Sequence, residues 1–229
     1  MTHKFARRIQ MDLKRFNESP PPGIFIQCDK ADITHIQVLI FGPKNTPYED
    51  GFFYFDYRMP DNYPHSPPKV ILITTANGEV RFNPNLYSCG KVCLSILGTW
   101  SGPSWTSVLS LSTVLLSIQS LLCDNPFYNE PGRVENSSKN ESDSYNVKTQ
   151  YHTLKHAVGD ILDKKAILPD DLYEISKEYF LNNFDNYMTL CDKNTKYDGT
   201  SANDGFNGQI RVNFTQERER LTNIRNSLL

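Results

Sequence analysis

The chain has no long apolar segment. Nowhere in its 229 residues do about 18 apolar residues follow one another, the length that a membrane-spanning helix needs. The N-terminal stretch MTHKFARRIQMDLKRF also lacks the apolar region of a secretory signal. We therefore expect no membrane partner, no export, and a location in the cytoplasm or the nucleus.

An excess of charge of either sign is also missing. The 24 Lys and Arg side chains nearly balance the 26 Asp and Glu side chains, so the formal net charge is −2. A protein that binds nucleic acid through a polybasic surface would be far more basic, which predicts no nucleic-acid partner. Cysteine is scarce as well: the five cysteines are an odd number and too scattered for a disulfide framework, which favours a reducing compartment.

Aromatic and apolar residues are plentiful. Hydrophobic residues make up 38% of the chain, and 13 Phe and 12 Tyr supply most of the aromatic side chains. This composition is typical of a globular protein with a packed core. The length predicts either one large domain or one domain with a long appendage.

The N-terminal region has the pattern of an amphipathic helix over residues 4–17. Its apolar residues recur at four- and three-residue spacing, and three prolines follow from Pro20. The apolar positions are Phe5, Ile9, Leu13 and Phe16. The opposite face carries basic residues, including Arg7 and Arg8. A solvated face is the ordinary interpretation of such charges, and a docking surface for an acidic partner is the alternative.

Four runs of apolar, β-branched and aromatic residues come next, separated by clusters of Gly, Pro, Asn and Asp. They cover residues 24–28, 35–41, 52–58 and 69–75. Their short connections predict a four-stranded antiparallel meander and therefore an α+β fold with an N-terminal helix and C-terminal helices. The third strand has Phe53, Phe55 and Tyr57 on one face and Phe52 and Tyr54 on the other, so the sheet needs a cover. The first helix and the apolar run 108–122 are the candidates.

The C-terminal part begins after Pro131-Gly132. A polar linker is predicted at about 133–142, and two helical patterns follow within about 144–191, separated by Pro169. We place a core at 1–192 and an extension at 193–229. The extension ends in a charged helix, Phe214 to Leu228, which either packs on the core or contacts a partner.

Residues 76–107 show no sustained period yet contain apolar side chains that can pack, which is typical of a functional loop. Cys93 lies in this catalytic region, four residues after Cys89, but no second Cys/His pair has a credible spacing, so no metal site is predicted. No histidine lies nearby in sequence to act as a base. The carboxamides of Asn83 and Asn85 can donate hydrogen bonds to an oxyanion, which suits acyl transfer from an activated thioester to a reachable thiol.

Three longer segments carry a family resemblance. They are TPYEDGFFYFDYRMPDNYPHSPPKVILIT (46–74), RFNPNLYSCGKVCLSIL (81–97) and SIQSLLCDNP (117–126). From about residue 4 to 132 the chain resembles the catalytic core of ubiquitin-conjugating enzymes. The details PPPGIFIQ and GKVCLSILGTWSGPSW are most similar to the Z subfamily, which is served by a distinct activating enzyme. The resemblance implies the UBC fold, no metal or organic cofactor, and as partners ubiquitin, its activating enzyme, ligases and protein substrates.

The resemblance also implies roles for individual residues. Cys93 matches the cysteine that takes ubiquitin's C-terminal glycine as a thioester. Asn85 matches the Asn of the His-Pro-Asn motif, which stabilises an oxyanion or holds the active-site loop. Asn83 stands in place of the histidine, so an amide must remake any structural hydrogen bond of the imidazole. Arg7 and Arg8 match the surface that docks the activating enzyme, which favours docking over a merely solvated face.

The segment DNPFYNEP departs from the family near the end of the second helix, where many members have an acidic residue that orients the incoming lysine. Tyr128, Asn129 and Glu130 are the candidates for this position. An amine must lose its proton before it attacks, although the unperturbed lysine pKa is about 10.4, so a group that desolvates the lysine would help.

The ligase-binding surface of the family also differs here. His65 follows Pro64 where many members expose an aromatic side chain, and Thr106 and Ser107 follow the tryptophan where the family has Ser-Pro. These four residues form the predicted ligase surface, and its altered composition predicts unusual ligase recognition.

Two other functions stay open beside a ubiquitin-conjugating enzyme. One is a non-catalytic variant of the same fold that binds ubiquitin as a scaffold, although such variants typically lack the cysteine that this chain has at Cys93. The other is a conjugating enzyme for a different ubiquitin-like modifier, such as SUMO.

Overall fold

The computed structural model describes residues 6–133, 139–165, 168–203 and 208–229. Its helices are α1 (Ala6–Glu18), α2 (Leu111–Leu121), α3 (Lys139–His152), α4 (Asp170–Asn182), α5 (Phe184–Asn194) and α6 (Phe214–Leu228). Its strands are β1 (Ile24–Cys28), β2 (His35–Phe41), β3 (Phe52–Arg58), β4 (Lys69–Leu72), β5 (Ser201–Asn203) and β6 (Gln209–Arg211). Among the helices in these ranges, none combines the length and apolar character required to span a bilayer.

The first four strands form one antiparallel sheet in the order β1-β2-β3-β4. Ile40 lies opposite Phe53 in the β2–β3 pair, and Tyr57 lies opposite Val70 in the β3–β4 pair. Each neighbouring pair in the sheet is also consecutive in the sequence, which the short connections allow. The predicted meander and α+β class are confirmed.

Both faces of the sheet are covered, each by a separate hydrophobic core. Phe53, Phe55 and Tyr57 pack in a first core with buried residues of α1 and α2. Phe52 and Tyr54 point to the opposite face and pack in a second core with the C-terminal helices. The alternation of faces along β3 is therefore as predicted, and so is the cover by the first helix and the 108–122 run.

β4 ends at Leu72, three residues before the predicted end of the fourth strand. One main-chain bond continues beyond it, from the Ile73 N–H to the Tyr54 carbonyl at 2.8 Å, and the Tyr54 N–H then donates to the side chain of Thr74, at Oγ1, at 2.9 Å. A threonine hydroxyl that takes the place of a main-chain acceptor ends regular pairing.

The C-terminal helices differ from the prediction in three ways. α3 begins at Lys139, inside the range predicted as a polar linker, of which residues 134–138 lie outside the described part. It continues as a π-helix over Thr153–Asp160. The pattern predicted to reach residue 191 as one helix is divided into α4 and α5 at Asn183, whose Nδ2 donates to the Tyr179 carbonyl at 2.9 Å.

The extension contributes to the second core rather than standing apart from it. α6 has the predicted bounds, and its Phe214 and Leu221 are fully buried. Arg220 of the same helix donates to Asp160 at 2.6 Å and to Asp163 at 2.7 Å. Burial acts to raise the pKa of Asp160, but hydrogen bonds from His156 and Arg220 outweigh it and lower that pKa to about 2. Of the two roles left open for this helix, the structure shows packing on the core.

Candidate active site

Cys93 and Asn85 hold each other through two reciprocal hydrogen bonds. The Cys93 N–H donates to the Asn85 carbonyl at 2.8 Å, and Asn85 Nδ2 donates to the Cys93 carbonyl at 2.9 Å. The side-chain amide of Asn85 is therefore bonded to the main chain of the cysteine itself. This arrangement favours the loop-holding role of Asn85 over the oxyanion role in the resting structure.

Asn83 connects this loop to the helix that covers the sheet. Its Oδ1 accepts a hydrogen bond from the Asn85 N–H at 2.9 Å. Its Nδ2 donates to the Leu121 carbonyl at the end of α2 at 2.7 Å, and to the Tyr48 hydroxyl at 2.9 Å. A carboxamide offers both an acceptor and two donor hydrogens, so it can make all three bonds at once. The predicted structural role of Asn83 thus has a geometric basis.

Tyr48 is a part of this network that the sequence did not single out. It is fully buried, and its hydroxyl donates to the Phe82 carbonyl at 2.9 Å while it accepts from Asn83. Burial raises the pKa of the Tyr48 hydroxyl well above its ordinary range, so the group stays a neutral donor. The only sequence signal was its place in the segment TPYEDG, four residues before β3.

Replacing Tyr48 by phenylalanine is expected to lower the free energy of unfolding by about 1–2 kcal/mol, because buried partners at Phe82 and Asn83 lose a hydrogen bond. Urea unfolding of the two proteins measures the difference. Tyr57→Phe is the matched control: the Tyr57 hydroxyl is buried and has no hydrogen-bond partner within the residues that the structure describes. That control is expected to be neutral or stabilising, and an equal loss in both variants would contradict the network.

The Cys93 side chain has 0% exposure, although the sequence predicts a reachable thiol. Transfer to this sulfur therefore requires its surroundings to move. Cys89, by contrast, is exposed. Burial raises the pKa of the Cys28 and Cys123 thiols, and raises that of Cys191 to about 12. Thiols with a raised pKa form little thiolate at neutral pH, so these three are poor nucleophiles.

The predicted lysine-positioning residues have different surroundings. Asn129 Nδ2 donates to Asn83 Oδ1 and to the Leu121 carbonyl, both at 3.4 Å. These contacts add Asn129 to the network that holds the loop, while its role in lysine positioning stays a prediction. Tyr128 is half-buried and its ring lies 5.6 Å from that of Phe127.

Glu130 brings an acidic group to the same region. Its carboxylate pairs with Arg81 at 3.4 Å, and Arg81 Nη2 donates to the Pro84 carbonyl at 2.5 Å. Pro84 is the central residue of the Asn-Pro-Asn motif, so the guanidinium joins the carboxylate to the active-site loop. Of the three candidates, Glu130 is the one that brings a negative charge to the motif.

The two predicted docking arginines differ in environment. Arg7 is exposed on α1 and remains a candidate for docking. Arg8 points inward, with its side chain 20% exposed, and pairs with the buried Asp12 at 3.0 Å. It also donates to the carbonyls of Ser107 and Leu109, each at 2.7 Å. Its donors are therefore bonded within the fold, and its docking role stays a prediction.

The predicted ligase residues lie on one surface. Trp105 Nε1 donates to the Pro64 carbonyl at 2.8 Å, which joins the loop that contains His65 to the one that contains Thr106 and Ser107. His65, Thr106 and Ser107 are exposed and Pro64 is half-buried. Val108 beside them is 85% exposed. This surface also borders α1 through the bonds of Arg8.

Across the described ranges, no group of three or more His, Cys, Asp and Glu side chains could hold a metal ion. The site instead consists of one thiol, four carboxamide or phenol groups that donate hydrogen bonds, and an Arg–Glu pair. Such groups can position the reacting groups of an acyl transfer through hydrogen bonds. They do not supply a typical general base.

Comparison with known proteins gives consistent matches. The family model "Ubiquitin-conjugating enzyme" matches residues 8–154. The chain is 45% identical over 207 residues to ubiquitin-conjugating enzyme E2 Z of Danio rerio, covering 90% of this chain and 63% of that protein. For E2 Z of Homo sapiens the identity is 44%, with 90% and 58% covered. The chain thus spans about three fifths of the length of these relatives.

Among solved structures, human ubiquitin-conjugating enzyme E2 G1 is 30% identical and has a TM-score of 0.47, with 54% of this chain and 98% of that chain covered. The family model spans more than half of the chain and includes both the sheet and the Asn83–Cys93 loop. The chain therefore belongs to the ubiquitin-conjugating enzyme family.

Proposed function

We propose that this chain accepts ubiquitin from an activating enzyme as a thioester on Cys93 and passes it to a substrate lysine or to a ligase. The observation that carries the proposal is the pair of hydrogen bonds between Asn85 and Cys93, at 2.8 and 2.9 Å. They hold the thiol-bearing residue within a carboxamide network, inside the region that matches the family. The similarity to the E2 Z proteins supports, as the donor, the distinct activating enzyme that serves the Z subfamily.

The proposed chemistry has two acyl transfers. In the first, the Cys93 thiolate attacks the carbonyl carbon of the activating enzyme's thioester, and that enzyme's cysteine leaves as thiolate. In the second, a neutral lysine amine attacks the new thioester, the Cys93 thiolate leaves, and the amine proton passes to water. The acyl group arrives already activated, so the proposal includes no cofactor.

The acceptor side of the proposal rests on Glu130. Its carboxylate is tied to the Pro84 carbonyl through Arg81, which brings a negative charge next to the active-site loop. An acidic group there attracts the incoming lysine and orients it. The cytoplasm or nucleus is the proposed location, since the activating enzyme and the substrates are expected there.

One observation favours a second function. The full burial of Cys93 is what a non-catalytic scaffold would also show, because a scaffold has no need of an accessible thiol. The two functions make opposite predictions about a covalent adduct.

Charging the purified chain with ATP, ubiquitin and each known activating enzyme tests the proposal. We expect an adduct that a thiol reductant removes on a gel. Cys93→Ser is expected to give an adduct that resists reductant, since an oxyester replaces the thioester. Cys89→Ser is the matched control, because Cys89 lies four residues away and is exposed, and it is expected to charge normally.

The same gels separate the alternatives. An adduct with SUMO or another modifier, and none with ubiquitin, would replace the proposed substrate and leave the chemistry intact. If no modifier and no activating enzyme gives a reductant-sensitive adduct, the proposed conjugating activity is overturned and the scaffold function is favoured. Loss of the adduct in Cys89→Ser, with a normal adduct in Cys93→Ser, would place the thioester on Cys89 and overturn the assignment to Cys93.

A further inference from the structure

Thr99 lies in the loop that follows Cys93 and bonds to the main chain on both sides of it. Its hydroxyl donates to the Val92 carbonyl at 2.6 Å and accepts from the Leu94 N–H at 3.0 Å. The Leu94 carbonyl, at 3.1 Å, competes for the same hydroxyl proton. One side chain thereby spans the peptide groups that precede and follow the cysteine.

The backbone brings Thr99 to this position through a short closed loop. A 3-10 turn over Ser95–Leu97 ends at Gly98, which has φ +69° and donates to the Ser95 carbonyl at 2.9 Å. The Thr99 N–H then donates to the Leu94 carbonyl at 3.2 Å. A left-handed residue reverses the chain here, and glycine adopts that conformation without steric cost.

The loop contacts the same segment a second time at Gly102. A Cβ added there would lie 3.0 Å from Ser95 Cβ, and Gly102 has φ +131°. Only a glycine allows this close approach together with that backbone conformation. The segment after Cys93 is therefore held by Thr99 and by the packing of Gly102.

These contacts complete the ones that Asn85 makes. Asn85 binds the N–H and the carbonyl of Cys93 itself, and Thr99 binds the carbonyl before it and the N–H after it. The main chain of the cysteine is thus fixed at consecutive peptide groups, with the Cys93 side chain fully buried. A turn of the main chain that brings the sulfur to the surface must break at least one of these bonds.

We propose that Thr99 is a positioning residue that latches Cys93 in its buried resting position, and that release of this latch exposes the thiol. The proposal rests on the proposed function for its purpose, since exposure is needed for transfer from the activating enzyme. Neither the motif nor the resemblance assigns Thr99 any role. Its hydroxyl is the only side-chain group in residues 98–104 that bonds to both neighbours of Cys93 in the described structure.

Alkylation of the full chain by iodoacetamide, read by mass spectrometry of the Cys93 peptide, tests the latch without ubiquitin. Thr99→Val keeps the shape and removes the hydroxyl, and we expect Cys93 to react about tenfold faster, equivalent to about 1.4 kcal/mol. Thr99→Ser retains the hydroxyl and is expected to react at the original rate. Ser101→Ala removes an exposed hydroxyl from the same loop and is expected to change nothing.

A second thiol distinguishes the latch from loss of folding. Cys191 is fully buried in the second core, so its alkylation reports global unfolding. An unchanged Cys93 rate in Thr99→Val, or an equal acceleration of Cys93 and Cys191, would overturn the proposal. Gly102→Ala perturbs the loop at its other contact and is expected to accelerate Cys93 selectively, which provides an independent variant if Thr99→Val does not fold.

Charging assays keep this proposal separate from the proposed function. In Thr99→Val we expect a changed kcat for thioester formation and an unchanged KM for the activating enzyme, because the latch is not part of α1. If Cys93 is alkylated faster in Thr99→Val but the chain forms no adduct with any modifier, the latch is upheld and the proposed conjugating function is overturned. A changed KM with an unchanged alkylation rate would overturn the latch and leave the enzyme standing.

Discussion

Replacement of Asn85 by alanine is expected to lower the rate of ubiquitin discharge to lysine by about a hundredfold, the typical cost of misplacing a reacting group by about an ångström. The variant loses the donor to the Cys93 carbonyl at 2.9 Å, so the cysteine is no longer held by a side chain from the Asn-Pro-Asn motif. Because that bond exists in the resting structure, charging of Cys93 is expected to slow as well.

Single-turnover assays separate the two steps: charging is followed with the activating enzyme in excess, and discharge is followed with free lysine after ATP is removed. Asn186→Ala, at an exposed asparagine of α5, is the matched control and is expected to leave both rates unchanged. Slow discharge after normal charging would assign Asn85 to the oxyanion instead of the loop. Two normal rates would contradict both roles.

Removal of the Arg8 side chain is expected to have the largest effect on stability. Arg8→Ala leaves the buried Asp12 carboxylate without its cation and removes the donors to the Ser107 and Leu109 carbonyls. Loss of one partner of a buried pair typically costs about 3–5 kcal/mol, and the partial exposure of Arg8 places the expected loss in the free energy of unfolding at about 3 kcal/mol.

Arg7→Ala is the natural comparison, because Arg7 is the adjacent residue and its side chain is exposed. Its effect on the free energy of unfolding is expected to stay within about 0.5 kcal/mol, whereas its charging by the activating enzyme is expected to slow through a higher KM. Urea unfolding and charging kinetics of both variants measure these quantities. Equal stability of Arg7→Ala and Arg8→Ala would contradict the structural role of Arg8.

Local sequence pattern was sufficient for the sheet and for the outer helices. The alternation of Phe52, Phe53, Tyr54 and Phe55 defines two faces, and both faces are occupied as expected. The end of β4 was not predictable in the same way, because it depends on Thr74, whose hydroxyl bonds to a residue twenty positions earlier. The break at Asn183 contains no proline or glycine; a side-chain amide there competes for a helical carbonyl.

The motif identified the residues that share a stretch of sequence, namely Cys93, Asn85 and Asn83. It could not identify Tyr48, because the contact between Tyr48 and Asn83 exists only after the sheet and α2 have come together. The same limitation applied to Arg8: charge and helix position are equally compatible with an exposed and an inward side chain. Only the carbonyls presented by residues 107 and 109 distinguish the two.

The second core has a consequence for how this chain can be divided. The family match ends at residue 154, yet Phe52 and Tyr54 of β3 belong to a core that also includes buried residues from later in the chain, among them Phe180 and Phe214. An excised fragment that ends with the match would expose aromatic side chains across one side of its sheet. In this protein the segment that matches the family is therefore shorter than the segment that packs into the two cores. The last helix, α6, belongs to that packed unit as fully as the loop that carries Cys93 does.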